Sequence, residues 1–559
     1  MTVSRSFNIF FWASLVILGC IYCIGMHLSL MDVDASQYAL ISKQMFYSHN
    51  YLQVTERGHD YLDKPPLIFW TACLSYKIFG IHDWSYRLPS ILCLILGIYS
   101  VYRFTKLFYD EYSAKISALI MASCCATYLM THDVRTDTML TGWVMFSIWQ
   151  LAEFNRSLKF RHVLLGAIGV GLAMITKGPI GLIIPVTAFS TDFIYKRQWK
   201  SFFRWQYLVA IVVIAIILLP MSYGLYEQYD MHPESVANNV GKHISGIRFY
   251  YWTQSFGRIT GESGWNNDPD PFFLVHSFLW SFLPWTAFFL PALFYAVKDK
   301  IKSISNPQGE AVTIGGFLFI FIFLSLSKYQ LPHYTFPLHP LAAIITGAYI
   351  GKNLLLPKAS KTFSVFLGLQ VFSIIVLYGG IFLLTCLVFP ASIFLISTIA
   401  ISLLAFIFIL FYKNISKINR ILAGTLIAFI TLACVLNISF YANLLQYQAN
   451  SAVAKDLNKI ADNDAQLLIF NNYASNSMEF YCKLPITEYI NERNIGSHLI
   501  RNKTYILANK ADSFNVMKIS PNIAIVKDYN NFEVTQLNAS FLNPSARNGV
   551  VDRLILFRY

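Results

Sequence analysis

Long apolar runs separated by short polar connections dominate the chain. Thirteen runs are candidates to cross a bilayer: Phe7–Leu28, Leu88–Phe108, Ala114–Met130, Met139–Phe154, Val163–Ile175, Ile180–Ile194, Tyr207–Leu225, Phe272–Val297, Ile314–Leu326, Leu338–Ile350, Phe363–Val388, Ile393–Phe411 and Ile421–Tyr441. A perpendicular span takes about 20 apolar residues, so several of these are short. The pattern predicts an α-helical polytopic membrane protein with about 13 transmembrane helices. A further apolar stretch follows Pro65-Pro66, reaches Phe79 and stops at Gly80. It is too short to span, and with Trp70, Tyr76 and Trp84 it suits a helix lying at the membrane interface. From about Gln446 the pattern changes. Leu467–Phe470, Thr504–Leu507 and Ile523–Val526 read as buried strands, and Ala452–Ile460 is an amphipathic piece between them. The expected division is a membrane domain over 1–445 and a small α/β domain over 446–559.

Charge orients this pattern. With Arg5 in the cytoplasm, alternate connections hold the basic residues, among them Arg103, Lys106 and Lys115, then Arg156, Lys159 and Arg161, then Lys196, Arg197, Lys200 and Arg204. That obeys the positive-inside rule. The 559 residues are 55% hydrophobic and 13% charged, about half the charge of an average soluble chain. The net charge of +13 therefore reflects orientation in the bilayer and contact with anionic lipid, not nucleic acid. Seven of the nine cysteines lie within apolar runs, the Cys20-Ile21-Tyr22-Cys23 pair among them, and none suggests a disulfide framework. The first run has no small-residue cleavage site after it and is expected to be a retained span.

The opposite connections hold a different population. Outer loops over 29–87 and 226–271, with the short connections near 131–138, 177–179 and 327–337, collect Asp32, Asp34, Asp63, Lys64, Asp133, Arg135, Asp137, Lys177, Glu262, Lys328 and His333. Each has an ordinary explanation. Asp32 and Asp34 suit a helix start, Asp63-Lys64 a capped interface helix, Asp133-Val134-Arg135 a salt-bridged turn, and Lys177 and Lys328 snorkelling cations. Polar loops explain about half of the set. They do not explain ionisable groups packed into tiny connections against apolar spans, which are functional candidates by default.

One chemical task uses the whole set. Lys and Arg at headgroup depth hold phosphate oxygens. Carboxylates beside them suit glycosyl chemistry through an oxocarbenium-like state. A sugar on a polyprenyl phosphate places its phosphate at that depth. Its departure as an anion calls for nearby cations, and a carboxylate is available to deprotonate an acceptor.

The residues that carry this reading also carry a resemblance. Asp34-Ala35-Ser36-Gln37-Tyr38, Tyr61-Leu62-Asp63-Lys64-Pro65-Pro66, Arg87-Leu88-Pro89, Thr176-Lys177-Gly178-Pro179 and Ser327-Lys328-Tyr329-Gln330-Leu331-Pro332-His333-Tyr334 resemble motifs of the protein O-mannosyltransferase-like membrane glycosyltransferases. Within that family the likeness is nearest to the bacterial aminoarabinose transferases that modify lipid A. It covers roughly 7–350 well and the remainder weakly. The resemblance implies the C-type glycosyltransferase fold in a bacterial inner membrane, with the site and the C-terminal domain on the periplasmic side. It implies a polyprenyl-phosphate-linked sugar as donor and lipid A, or another glycan or protein, as acceptor. Asp34 takes the place of the catalytic carboxylate. Asp63, Lys64, Arg135, Asp137, Lys177, Arg258, Lys328 and Tyr329 are expected around the donor phosphate and sugar. Asp32, Asp133, Glu262, His333 and Tyr334 are expected in acceptor or supporting roles. No cofactor is expected to be required. Asp63 stands where the transferases usually have Glu, and Gln254–Arg258 lacks their loop histidine, so no bound metal is expected there. Gly261-Glu262-Ser263-Gly264-Trp265 also departs from the lipid A enzymes.

Two other function classes compete. A secondary transporter shares the many spans, but no internal repeat of the transporter kind is present and the charges gather at one face. A non-catalytic assembly or flipping protein would tolerate amide replacement of the acids.

Overall fold

The structure is a computed structural model describing residues 4–232, 245–262, 265–354 and 361–559. Ser263 and Gly264 of the Gly261–Trp265 stretch lie outside the described residues. Contacts divide the chain into two units. The first comprises the described residues of Met1–Met26, Met45–Gly379 and Thr398–Ala433; the second comprises His27–Gln44, Gly380–Ser397 and Cys434–Tyr559.

All thirteen apolar runs fall on helices. Seven helices are long and apolar enough to cross a membrane, or up to nine if two bent pairs each count once, among the described residues. Leu67–Phe79, Ile180–Tyr195 and Val312–Ser325 are shorter apolar helices. The protein is a multi-pass membrane protein.

In the first unit, helices form where apolar runs begin after a cap and end at a breaker. Ser4 Oγ accepts from Phe7 N at 3.2 Å and starts the helix Arg5–Gly25. The Leu67–Phe79 helix starts directly after Pro65-Pro66, whose fixed φ pre-sets the first turn, and ends at Gly80 with φ +81°. It buries Leu67, Ile68, Phe69, Ala72 and Tyr76. Close helix crossings use small residues, as in other membrane bundles. A Cβ on Gly142 of the Thr136–Ser157 helix would collide with the Cys93 carbonyl of Asp83–Phe108. Val101, Phe104, Ile120, Val144, Ile148, Phe282, Phe288 and Trp285 fill the core between such crossings. Arg87, 1% exposed, is a structural strut: Nε donates to His132 O at 3.0 Å and Nη1 to Met26 O at 2.9 Å. That satisfies a buried guanidinium with carbonyls at two helix ends.

The second unit is built on a five-stranded sheet in the order Ile486–Ile490, Gln466–Phe470, Thr504–Asn509, Asp552–Arg558, Ala524–Asn531. The first three strands are parallel; Asp552–Arg558 pairs antiparallel with both of its neighbours. Two-residue alternation gives each face a core. Leu467, Ile469, Leu507 and Leu556 pack under Val453, Ala454, Leu457 and Met478. Leu468, Phe470, Ile506 and Phe557 pack against Val516 on the other face. The buried strands expected at Leu467–Phe470 and Thr504–Leu507 are present, and the amphipathic piece Ala452–Ile460 lies in the helix Ala449–Ile460. The strand expected to be buried at Ile523–Val526 is instead Ala524–Asn531, mostly exposed because it is an edge strand of the sheet. The unit also takes in the stretch His27–Gln44, which carries Asp32 and Asp34. Met31 joins Val388, Phe389, Phe440 and Phe541 in an apolar cluster there.

Candidate active site

In the first unit the sequence places a cation at each of three connections between helices. The Phe160–Lys177 helix ends on Lys177, a favourable position for a positive charge. Gly178 then takes φ +97°, a conformation that strains any residue with a Cβ, and lets Pro179 open the helix Ile180–Tyr195. Lys177 thereby meets Asp137, which lies in the first turn of the Thr136–Ser157 helix with its side chain 3% exposed. The two form an ion pair through Lys177 Nζ and Asp137 Oδ1. Asp133 and Arg135, just before that helix, pair at 2.8 Å.

Asp63 and Lys64 pair at 2.6 Å immediately before Pro65-Pro66. Gln254 Nε2 donates to the Asp63 carbonyl. Burial opposes ionisation of Asp63, but the Lys64 ammonium beside it, with Arg258, outweighs that and holds its carboxyl below the usual range. Arg258 comes from the second large outer loop. Its Nη1 donates to Tyr334 Oη, and its guanidinium lies 5.5 Å from the Tyr329 ring and 5.9 Å from the Tyr334 ring. Lys177 Nζ approaches the Tyr334 ring from another direction at 4.5 Å. These two rings therefore wall a cationic recess. Arg258 Nε is buried and has no acceptor among the described residues.

His333 Nε2 stands 3.8 Å from Asp137 Oδ2. Burial first, then the cations Lys177, Arg135, Lys64 and Arg258, hold its imidazole well below its ordinary range, so it is neutral at physiological pH. The group is thus an overlapping field: Lys64, Lys177, Arg135 and Arg258 act together on one ring. Lys328 is more peripheral. It is exposed, its backbone N donates to Arg258 O at 3.2 Å, and its ammonium lies along the bare face of Gly261. Glu262 is engaged locally instead, accepting from Arg248 at 2.9 Å, Trp252 at 3.0 Å and Thr253 at 3.3 Å.

A small recess adjoins Lys64. Leu52, Leu62, Met221, Leu225 and Tyr250 give it apolar walls. Gln228 crosses it, donating to Val54 O at 2.9 Å and Asp60 Oδ1 at 2.7 Å. The recess is mainly apolar, with Lys64 and Gln228 among its lining residues. Gln228 and Gln254 were not singled out from the sequence. Neutral amides in polar loops carry no pattern of their own, and only the resemblance at Gln254–Arg258 pointed near one of them.

In the second unit, Asp34 begins the helix Asp34–Ser48 and is partly exposed. Asp32 is held two residues earlier. Its Oδ1 accepts from Ser477 N at 3.0 Å and from Ser36 Oγ, and its Oδ2 accepts from Ser477 Oγ at 2.7 Å. Among the described residues, no three His, Cys, Asp or Glu side chains are grouped as a metal site would need.

Comparison with solved structures decides the architecture. The crystal structure of ArnT from Cupriavidus metallidurans in the apo state superposes with a TM-score of 0.72 at 15% identity, covering 99% of this chain and 98% of that one. The chain has the C-type glycosyltransferase fold. The same protein bound to undecaprenyl phosphate gives a TM-score of 0.71 at 16% identity, with the same coverage. Residues 63–223 match the family model of dolichyl-phosphate-mannose-protein mannosyltransferases. An undecaprenyl phosphate-alpha-4-amino-4-deoxy-L-arabinose arabinosyl transferase of Edwardsiella ictaluri is 25% identical over 327 residues, which is 57% of this chain and 55% of that protein. An uncharacterised protein of Aquifex aeolicus is 27% identical over 323 residues, or 57% of this chain and 59% of the other. The chain thus spans somewhat over half the length of the curated relatives it matches. The resemblance to aminoarabinose transferases read from the motifs is the one these comparisons return.

Proposed function

We propose that the protein is an integral-membrane glycosyltransferase that moves a sugar from a polyprenyl-phosphate donor to an acceptor at the outer face of a bacterial inner membrane. The acceptor we favour is lipid A. The observation that carries this is the cluster of Lys64, Lys177 and Arg258 walled by Tyr329 and Tyr334. Arg258 keeps a buried N–H without an acceptor among the described residues. Such an arrangement in a membrane domain suits a phosphate. The aminoarabinose transferase relatives and the undecaprenyl phosphate bound by the Cupriavidus protein support the same donor class.

In the reaction, the bond between the anomeric carbon and the phosphate oxygen breaks, and its electron pair leaves with the phosphate. Lys64, Lys177 and Arg258 stabilise the charge that develops there. An acceptor oxygen forms the new bond to the anomeric carbon. Asp34 receives the proton if that oxygen is a hydroxyl. If the acceptor is a lipid A phosphate, already an anion, Asp34 orients it or stabilises the oxocarbenium-like sugar. On this reading the charge is supplied by side chains, and no cofactor is invoked. The site and the C-terminal domain lie on the periplasmic side.

Mass spectrometry of lipid A and of glycoproteins, with and without the gene, tests the proposal. A lipid A mass increment lost with the gene supports it. An increment lost from protein instead moves the acceptor to polypeptide, as the mannosyltransferase family match would suggest. No change in either class, with solute uptake by vesicles, returns the transporter reading.

A further inference from the structure

The Asp32 carboxylate is the centre of a clamp that closes from the far end of the chain. Ser477 meets it with both backbone N, at 3.0 Å, and Oγ, at 2.7 Å. The Gln448 amide brackets the same stretch: Oε1 accepts from Asp32 N at 3.0 Å and Nε2 donates to Leu30 O at 2.9 Å. Leu30 N donates to Tyr481 Oη at 2.7 Å. Lys455 Nζ reaches Ser29 Oγ at 2.6 Å. Lys43, further along the same stretch, donates to the carbonyls of Glu479 and Phe480 at 2.9 and 2.8 Å. All of these residues belong to the second unit. On the near side, Ser36 Oγ donates to Asp32 Oδ1 and to Val33 O, so the turn that contains Asp34 is tied to the same carboxylate.

Asp34, the first residue of its helix and two positions from the clamp, inherits its rigidity. Few of these bonds are needed for the sheet core, which is complete without residues 29–36. Their joint effect is to immobilise one short stretch, and Asp34 is the residue in it with chemistry to perform. We propose that Asp32, Ser477 and Gln448 are positioning residues, and that the C-terminal domain serves to fix the backbone that presents the Asp34 carboxylate. This rests on the proposed function, in which Asp34 acts on the acceptor or the sugar. Misplacing a reacting group by about 1 Å costs on the order of 100-fold in rate.

The test uses the full-length protein in proteoliposomes with a polyprenyl-phosphate-linked aminoarabinose and lipid A. Asp34→Asn, Ser477→Ala, Ser477→Thr and Gln448→Met are compared per folded molecule. Expected are a loss of about 10²–10⁴-fold for Asp34→Asn, a kcat lowered about 10–100-fold with donor KM unchanged for Ser477→Ala and Gln448→Met, and recovery to near wild type for Ser477→Thr. Amide hydrogen exchange over residues 29–36 should quicken in Ser477→Ala while exchange in the sheet strands stays as it was. Wild-type kcat in Ser477→Ala and Gln448→Met, or a loss due wholly to folded yield, overturns the positioning role while leaving Asp34 in place. Activity retained by Asp34→Asn defeats the functional reading instead; the exchange measurement then still decides whether the clamp immobilises the stretch.

Discussion

Two acidic stretches, Asp133–Asp137 and Asp32–Asp34, look alike in sequence and are held by opposite means. Asp133 and Asp137 are neutralised by charge, one by Arg135 two residues away and the other by Lys177 across a helix pair. Asp32 is held by uncharged donors, Ser36 and the distant Ser477. The first arrangement builds a field: a group of cations and carboxylates acting together on His333 and on whatever anion enters. The second builds geometry: a carboxylate consumed in fixing a backbone. Acids spaced two or four apart therefore say nothing by themselves about role; the partners decide it.

Substitutions that break each arrangement should differ accordingly. The largest effect belongs to the residue assigned to chemistry. Asp34→Asn should lower transfer by about 10²–10⁴-fold with normal membrane insertion, measured as labelled sugar reaching lipid A. Next comes the field. Lys64→Ala should reduce kcat about 10²–10³-fold, the scale of losing one charge-stabilising donor. The buried pair should show in stability: Lys177→Ala leaves Asp137 uncompensated and should cost about 3 kcal/mol, while the double variant Asp137→Asn, Lys177→Met should recover part of that in thermal unfolding.

A smaller effect concerns pH. His333 is held neutral in the folded protein, so its folded pKa lies below the unfolded value of about 6.5. As pH drops below about 6.5 the unfolded chain takes up a proton that the folded chain refuses, and stability falls by at most about 1.4 kcal/mol per pH unit for this group. His333→Gln should make that acid-side decline shallower. Least of all, Glu262→Ala should change transfer less than about twofold, because its exposed carboxylate is engaged with Arg248 and Trp252 at the surface.

The membrane architecture was readable because it depends on runs of apolar residues, and the runs fall on helices, though Ala114–Met130 and Phe272–Val297 are each broken into a bent pair. The helix Leu67–Phe79 was readable from Pro65-Pro66 and Gly80, whose backbone preferences act locally. Two strands after Gln446, Gln466–Phe470 and Thr504–Asn509, were readable as short buried apolar runs. The site was readable as a list of charges and, through the motifs, as a likeness to known transferases. Its wiring was not. Nothing near Asp63 announces Gln254, and nothing near Asp32 announces Ser477, 445 positions away. Arg87, part of a shared motif, turned out to be a buried strut between Met26 and His132. Contacts between groups distant in sequence carry no periodicity, so pattern cannot report them.

The central claim is transfer from a lipid-linked phosphate at the Lys64–Lys177–Arg258 cluster. The most direct measurement is incubation of the reconstituted protein with undecaprenyl phosphate-linked aminoarabinose and lipid A, followed by mass spectrometry of both lipids. The account predicts free undecaprenyl phosphate and modified lipid A in equal amounts, both lost in Lys64→Ala. An intact donor with wild-type protein, or full product with Lys64→Ala, would contradict it.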